Sequence, residues 1–339
     1  MSRVFKLLSA DIYQVLECSE LPGEAELPPE DLTGTRPPPR LEEIARLNEA
    51  LSACADLDAL ISAAVDGLVQ HLGYQHVMLM LVDEAGERLL TMGSHGYPSS
   101  GAGAEVPIGQ GLWGVAAQQR RAVRIGQLSR DRTYSDAVRR TVERGEGASA
   151  LERQILLPGL DQPESLIAVP LLHRGALRGL LGLESAEVLR FGHADEAALQ
   201  LVAGHLAVLI EQALSAGEDG PPGPGGAAPA PAGRRVRVRH HADDDSVFID
   251  DRYLIKGLSG RILHRLLSIH LAGGRTEFCN RELRLDAELK LSVLRDNLET
   301  RIILLRRRLE DHAVPIRLVR SGRGQFRLQV DAAVELTSA

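Results

Sequence analysis

Aromatic side chains are scarce, with Phe, Tyr and Trp making up 3% of the 339 residues. That leaves little surface on which the bases of a single-stranded nucleic acid could stack, so a single-strand binder is disfavoured. Cysteine is scarcer still. Cys18, Cys54 and Cys279 are odd in number, scattered, and without a CxxC or a histidine at ligand spacing. No disulfide framework and no metal site are therefore expected, only ordinary reduced thiols. No apolar run approaches the roughly 20 residues needed to span a bilayer. The opening MSRVFKLLSADIYQVLECSE has neither the apolar region nor the small-residue cleavage site of a signal peptide. These absences predict a cytoplasmic chain with no membrane contact. No Ser/His/Asp, Cys/His or paired-carboxylate arrangement can be assembled from the motifs, so the chain is not expected to be an enzyme.

Hydrophobic residues make up 44% and charged residues 25%, which suffices for folded cores, and 339 residues suit two of them. The net charge of −7 hides an asymmetry. From Arg234 onward 21 Lys and Arg face 15 Asp and Glu, whereas the preceding chain carries 18 against 31. An acidic unit is thus joined to a basic one, and the basic one is where a polyanion would bind. The joint, residues 216–233, is marked by GEDGPPGPGGAAPAPAGRR (217–235), where Gly, Pro and Ala replace every apolar period. Such a linker cannot pass a rotation between the units as a shared helix would, so coupling requires tethering, dimer geometry or direct docking. Residues 1–40 read as a short amphipathic element followed by a largely disordered, proline-rich arm.

In the acidic unit, residues 41–215, Leu41, Ile44, Leu47 and Leu51, then Leu57, Leu60, Ile61, Ala64, Val65 and Leu68, recur at helical spacing and predict two helices. After Gly73 the pattern changes to a strand, a turn at 84–86 and a second strand. ESLIAVPLLHRGALRGLLGLES repeats that arrangement around Arg174 and Gly175, and HADEAALQLVAGHLAVLIEQAL closes the unit as a long helix. Helices, hairpin, irregular middle, hairpin and helix describe an α+β unit with an antiparallel sheet.

The stretches VPIGQGLWGVAAQQRRAVRIGQLSRDRTY, SLIAVPLLHRGALRGLLGLES and FGHADEAALQLVAGHLAVLIEQA make this half resemble the GAF domains, small-molecule sensor modules of signalling proteins. The resemblance implies a pocket between sheet and middle segment, bordered by Trp113, Asp131 and Tyr134, and a homodimer formed through the first and last helices. From the residues alone two readings of the pocket stay open. Trp113 and Asp131 contact a ligand, or Trp113 fills the core and Asp131 caps a helix near Tyr134. The Asn-Lys-Phe-Asp-Glu signature of the cyclic-nucleotide-binding members is missing, and so are the pocket cysteine of bilin-binding members and the several cysteines of sulfoxide-reducing ones. Six histidines of this half form no spaced pair, so haem is not expected either, and no cofactor is assigned. Residues 139–164 form an insertion that suits a lid, a docking surface or an inert excursion.

The basic unit, 234–332, opens with short strands around Val236–Val238 and Val247–Ile249. It continues with a helix ended by Gly273–Gly274, a short helix capped by Asn280, a third helix in DNLETRIILLRRRLEDH and a hairpin with its tip at 321–324. That order, with LSGRILHRLLSIHLAGGR, NREL, LLRRRLED and IRLVRSGRGQFRL, resembles the OmpR/PhoB-type winged helix-turn-helix, without a phospho-accepting receiver before it. On the third helix Leu298, Ile302, Leu305 and Leu309 share the core face. Opposite lie Thr300, Ile303, Leu304 and Arg307, the face such a domain inserts into a major groove, with Glu299 and Arg301 at its margins. Arg307 suits a guanine edge or a phosphate, Thr300 and Ile303 suit thymine methyls, and Arg306, Arg308, Arg320 and Arg323 suit phosphates. Yet Ile303 and Leu304 are aliphatic, and an apolar patch rimmed by charge also describes a protein interface. The expected function is a one-component transcription regulator that senses a small molecule or partner and binds double-stranded DNA. Its rival is an adaptor whose third helix docks on protein.

Overall fold

The computed structural model describes residues 39–128, 155–215, 235–289, 291, 298–322 and 324–338. Helices α1 (Leu41–Ser52) and α2 (Leu57–Gln70) form where the apolar spacing places them. Asp56 starts α2 by accepting hydrogen bonds from the backbone N–H of Asp58 and Ala59, both at 3.0 Å. The two foreseen hairpins are β1 (His76–Val82) with β2 (Arg88–His95), and β5 (Ser165–His173) with β6 (Ala176–Ser185). With the short strands β3 (Glu105–Pro107) and β4 (Val123–Ile125) they make an antiparallel sheet in the order β3-β2-β1-β6-β5-β4.

One face of this sheet, with Val77, Leu79, Leu81, Ile167, Val169, Leu181 and Leu183, is buried under α1, α2 and α4 (His193–Ser215). The other face, with Met78, Met80, Leu166, Ala168 and Leu180, packs on α3 (Gly111–Gln119). The strict alternation of these sets along each strand places them on opposite faces. By length and composition α4 is apolar enough to cross a membrane, contrary to the expectation from apolar runs. Its Ala198, Leu199, Val202, Leu206 and Ile210 are buried, and it packs on β5.

The C-terminal half starts with β7 (Arg235–His241), β8 (Ser246–Ile249) and β9 (Arg252–Ile255), turning through Asp245, Asp250 and Asp251 at positive φ. The chain continues past residue 332 into β13 (Ala333–Ser338), which pairs parallel with β7 and completes a four-stranded sheet. Between lie α5 (Leu258–Gly273), β10 (Glu277–Cys279), α6 (Asn280–Leu285), α7 (Leu298–Asp311) and the hairpin β11 (Ile316–Gly322) with β12 (Gln325–Val330). Gly274, at φ 68°, ends α5. Asn280 does not cap α6 as expected: Cys279 holds the cap position, and Asn280 is buried as the first helical residue. The core on the α1, α2 and α4 side of the sheet is continuous with the core of the C-terminal half, while the residues around α3 form a cluster of their own.

Candidate functional site

Two places carry the residues singled out by the sequence. Trp113, on α3, is 7% exposed and sits in the core behind the sheet with Met78, Met80, Leu180 and Ala168. A Cβ at Gly182 would lie 3.1 Å from its ring, so the strand narrows to glycine where the indole rests. The structure therefore places Trp113 as a core residue on the side of the sheet where the family pocket is expected. Asp131 and Tyr134 lie outside the described residues, as does most of the insertion. Its described end runs back to the sheet, where the Leu160 N–H donates to Glu184 at 2.8 Å.

The second place is α7. Leu298, Leu305 and Leu309 are buried as expected, and Ile302 is half-buried. The opposite face was expected to stand free for nucleic acid. Instead it is covered by the N-terminal half, α7 packing on α2 and β2. Thr300 is 1%, Ile303 4% and Leu304 1% exposed. The physical reason is in the residue types: two aliphatic side chains gain roughly 1.5–3 kcal/mol each by leaving water.

The arginines around this face are matched to acidic groups. Arg301 donates from Nε at 2.9 Å and Nη2 at 2.5 Å to the two oxygens of Glu84, in the β1–β2 turn. Arg306 pairs with Asp58, and more loosely, at 3.7 Å, with Glu310 one turn on. Arg307 donates to Asp58 at 3.1 Å, to the Ser62 hydroxyl at 3.0 Å and to the Met92 carbonyl at 2.8 Å. Arg320, on β11, pairs with Asp56. Arg308 bonds within its own half, donating to the Leu254 carbonyl at 3.0 Å, although its stem lies beside Gly103, and Arg323 lies outside the described residues. At the end of α7, Ser100 donates to Asp311.

Burial pushes the Asp58 carboxyl up, but Arg306 and Arg307 outweigh it and hold the group below its ordinary value of 3.8. The same charges, partly desolvated, add little net energy because desolvation offsets attraction, so they fix which residues meet while the aliphatic pair drives contact. One group is left out: the Thr300 hydroxyl oxygen, buried, has no hydrogen-bond partner among the described residues.

The accepting side of this site was missed. Asp56, Asp58, Glu84 and the Met92 carbonyl carry no motif. The signal available was the opposite charge of the two halves, which predicts attraction without saying where.

Residues 54–211 match the family model described as GAF domain. No curated protein sequence matches the chain. Among solved structures, similarity is found to the GAF domain from an Acinetobacter phosphoenolpyruvate-protein phosphotransferase, at 22% identity and TM-score 0.42 over 52% of this chain and 95% of that one. A free methionine-R-sulfoxide reductase from Neisseria meningitidis in complex with its substrate matches at 19% identity and TM-score 0.39, over 51% and 88%. The A. aeolicus nlh2 GAF domain in an inactive state matches at 14% identity and TM-score 0.36, over 50% and 94%.

Proposed function

Residues 54–211 are a GAF domain, and from that premise we propose that the chain is a one-component transcription regulator. The GAF domain senses a small molecule or a partner, and residues 235–338 act as a winged helix-turn-helix that binds double-stranded DNA. Strands, three helices and the β11–β12 hairpin follow one another in the order such a domain requires. The observation that carries the reading is the guanidinium row of Arg301, Arg306, Arg307 and Arg320, each matched to a carboxylate, which is the chemistry of a polyanion site. A homodimer through α1 and α4 fits this role, since Leu41 and Leu201 are exposed on those helices. The role has no catalytic step and needs no cofactor, and its site is cytoplasmic, where DNA is.

Burial of Ile303 and Leu304 favours a second reading, in which α7 is a protein-docking element and the chain an adaptor. Titration of a fluorescent mixed-sequence duplex into the full chain separates the two. Five phosphate contacts, from Arg301, Arg306, Arg307, Arg308 and Arg320, give a log-log salt slope near −4.5 and a loss of affinity of about several hundredfold between 50 and 200 mM salt. An adaptor binds no duplex even at the lower salt, including when the contact between the halves is broken.

A further inference from the structure

We infer that the α2–β2 face of the GAF domain is a DNA-phosphate mimic, binding α7 in place of DNA and so controlling when the effector half binds it. This rests on the DNA-binding reading above. Asp58 lies between Arg306 and Arg307, Glu84 takes the fork of Arg301, and Asp56 takes Arg320 from the neighbouring hairpin. Three carboxylates thus occupy four guanidinium groups that a duplex would need, and Thr300 and Ile303, assigned to base edges, are covered with them. The two occupants exclude each other sterically and electrostatically.

The contact also shows how the sensor reaches the effector without help from the linker. Across β1 and β2, Leu79 pairs with Gly93 and Met80 with Thr91, so Met92 is an extra residue, a β-bulge whose carbonyl is free of the ladder. Arg307 donates to that carbonyl. The neighbouring β1 residues Met78 and Met80 turn their side chains to the other face of the sheet, into the core that holds Trp113. A change on that face therefore acts on the strand pair that presents the acceptor for Arg307. The Thr300 hydroxyl, buried with no hydrogen-bond partner among the described residues, makes the closed arrangement costlier than full satisfaction would, which suits a contact that must open.

The test uses the full chain and a mixed-sequence duplex read by anisotropy, with hydrogen exchange of α7 as a second readout. The isosteric double change Asp58→Asn with Glu84→Gln removes the mimic, and Ser100→Cys with Asp311→Cys, joined by a short thiol crosslinker, holds the contact shut. At least tenfold tighter duplex binding in the first, and at least tenfold weaker binding in the crosslinked second, are expected. Duplex binding that is present and stays within twofold in both overturns the inference and leaves the DNA-binding reading standing. No duplex binding in any form, while exchange shows α7 opened by the double change, overturns that reading and the inference with it.

Discussion

Arg307 donates from Nη1 to the carbonyl of Met92, 2.8 Å away across the contact between the two halves. The same side chain reaches Asp58 and Ser62 with Nη2, so one guanidinium joins a β-bulge to the first turns of α2. Arg307→Ala deletes all three bonds and leaves Asp58 to Arg306 alone. Each lost charge-assisted bond is worth roughly 1–3 kcal/mol where the partner stays buried. Amide exchange across α7 should speed up by about tenfold or more, while the melting of the GAF domain is little changed. Equal protection in wild type and variant would show that the contact does not depend on this residue.

Gly93 offers a gentler probe of the same contact. A Cβ built there stands 2.5 Å from Nη1 of Arg307 and 3.4 Å from Ile61. The near neighbour is the end of a flexible side chain, so Gly93→Ala should displace the arginine without harming the strand. The expected outcome is exchange of α7 close to that of Arg307→Ala, with a GAF-domain melting temperature within a few degrees of wild type. Unchanged exchange would mean the guanidinium finds another seat and the contact survives.

How much of this was legible follows from the kind of signal each part leaves. The long helices α1, α2 and α4 and both hairpins show in the sequence because seven or more residues repeat a period. Strands β3, β4 and β10 are three residues each, too short to establish alternation. α3 was hidden by the glycines at its start, and β13 by a parallel partner nearly a hundred residues away. On α7 the wheel gave the core stripe of Leu298, Leu305 and Leu309 but left the opposite face open, although Ile303 and Leu304 stood out there as out of place for a helix facing water. What covers them could not be read, because Asp56 and Asp58 look like an ordinary helix start and the Met92 carbonyl is a backbone atom. A contact between surfaces distant in sequence leaves no local period.

The C-terminal half should lose stability as pH falls below about 6.5. Burial lowers the affinity of His264 for a proton, with His240 adding to it, and Glu288, Asp245 and Arg265 also face the ring. Burial does the same for His312, joined by Arg308, with Asp311 and Arg252 nearby. The unfolded chain takes up protons from the ordinary value of 6.5 downward, whereas these folded imidazoles resist until lower pH. Stability is therefore full above 6.5 and declines as pH drops through that window. Asp58 contributes in another range, because its carboxyl is held below 3.8 and stays ionised through the whole window. Urea midpoints at pH 7.5 and 5.5 should differ, with the lower midpoint at pH 5.5. His264→Gln with His312→Gln should flatten that difference. An unchanged slope in the double variant would assign the pH dependence elsewhere.

Trp113 decides between the two roles that the sequence leaves open for it, ligand contact and core filling. Its ring is buried with Met78, Met80 and Leu180, and Gly182 makes room for it. Truncation to alanine empties one of the larger volumes of that core, and such losses cost roughly 3–5 kcal/mol. For a domain of this size each kcal/mol lowers Tm by roughly 2–8 °C, so Trp113→Ala should melt at least 6 °C below wild type without any ligand present. Trp113→Phe, which keeps a ring in the same seat, should recover more than half of the difference. A tryptophan whose main task is to stack on a ligand behaves otherwise: its removal leaves the ligand-free melting temperature near wild type and weakens only the stabilisation that a ligand confers. Melting curves of the three proteins, recorded with no ligand added, therefore separate a core residue from a binding one before the ligand itself is identified.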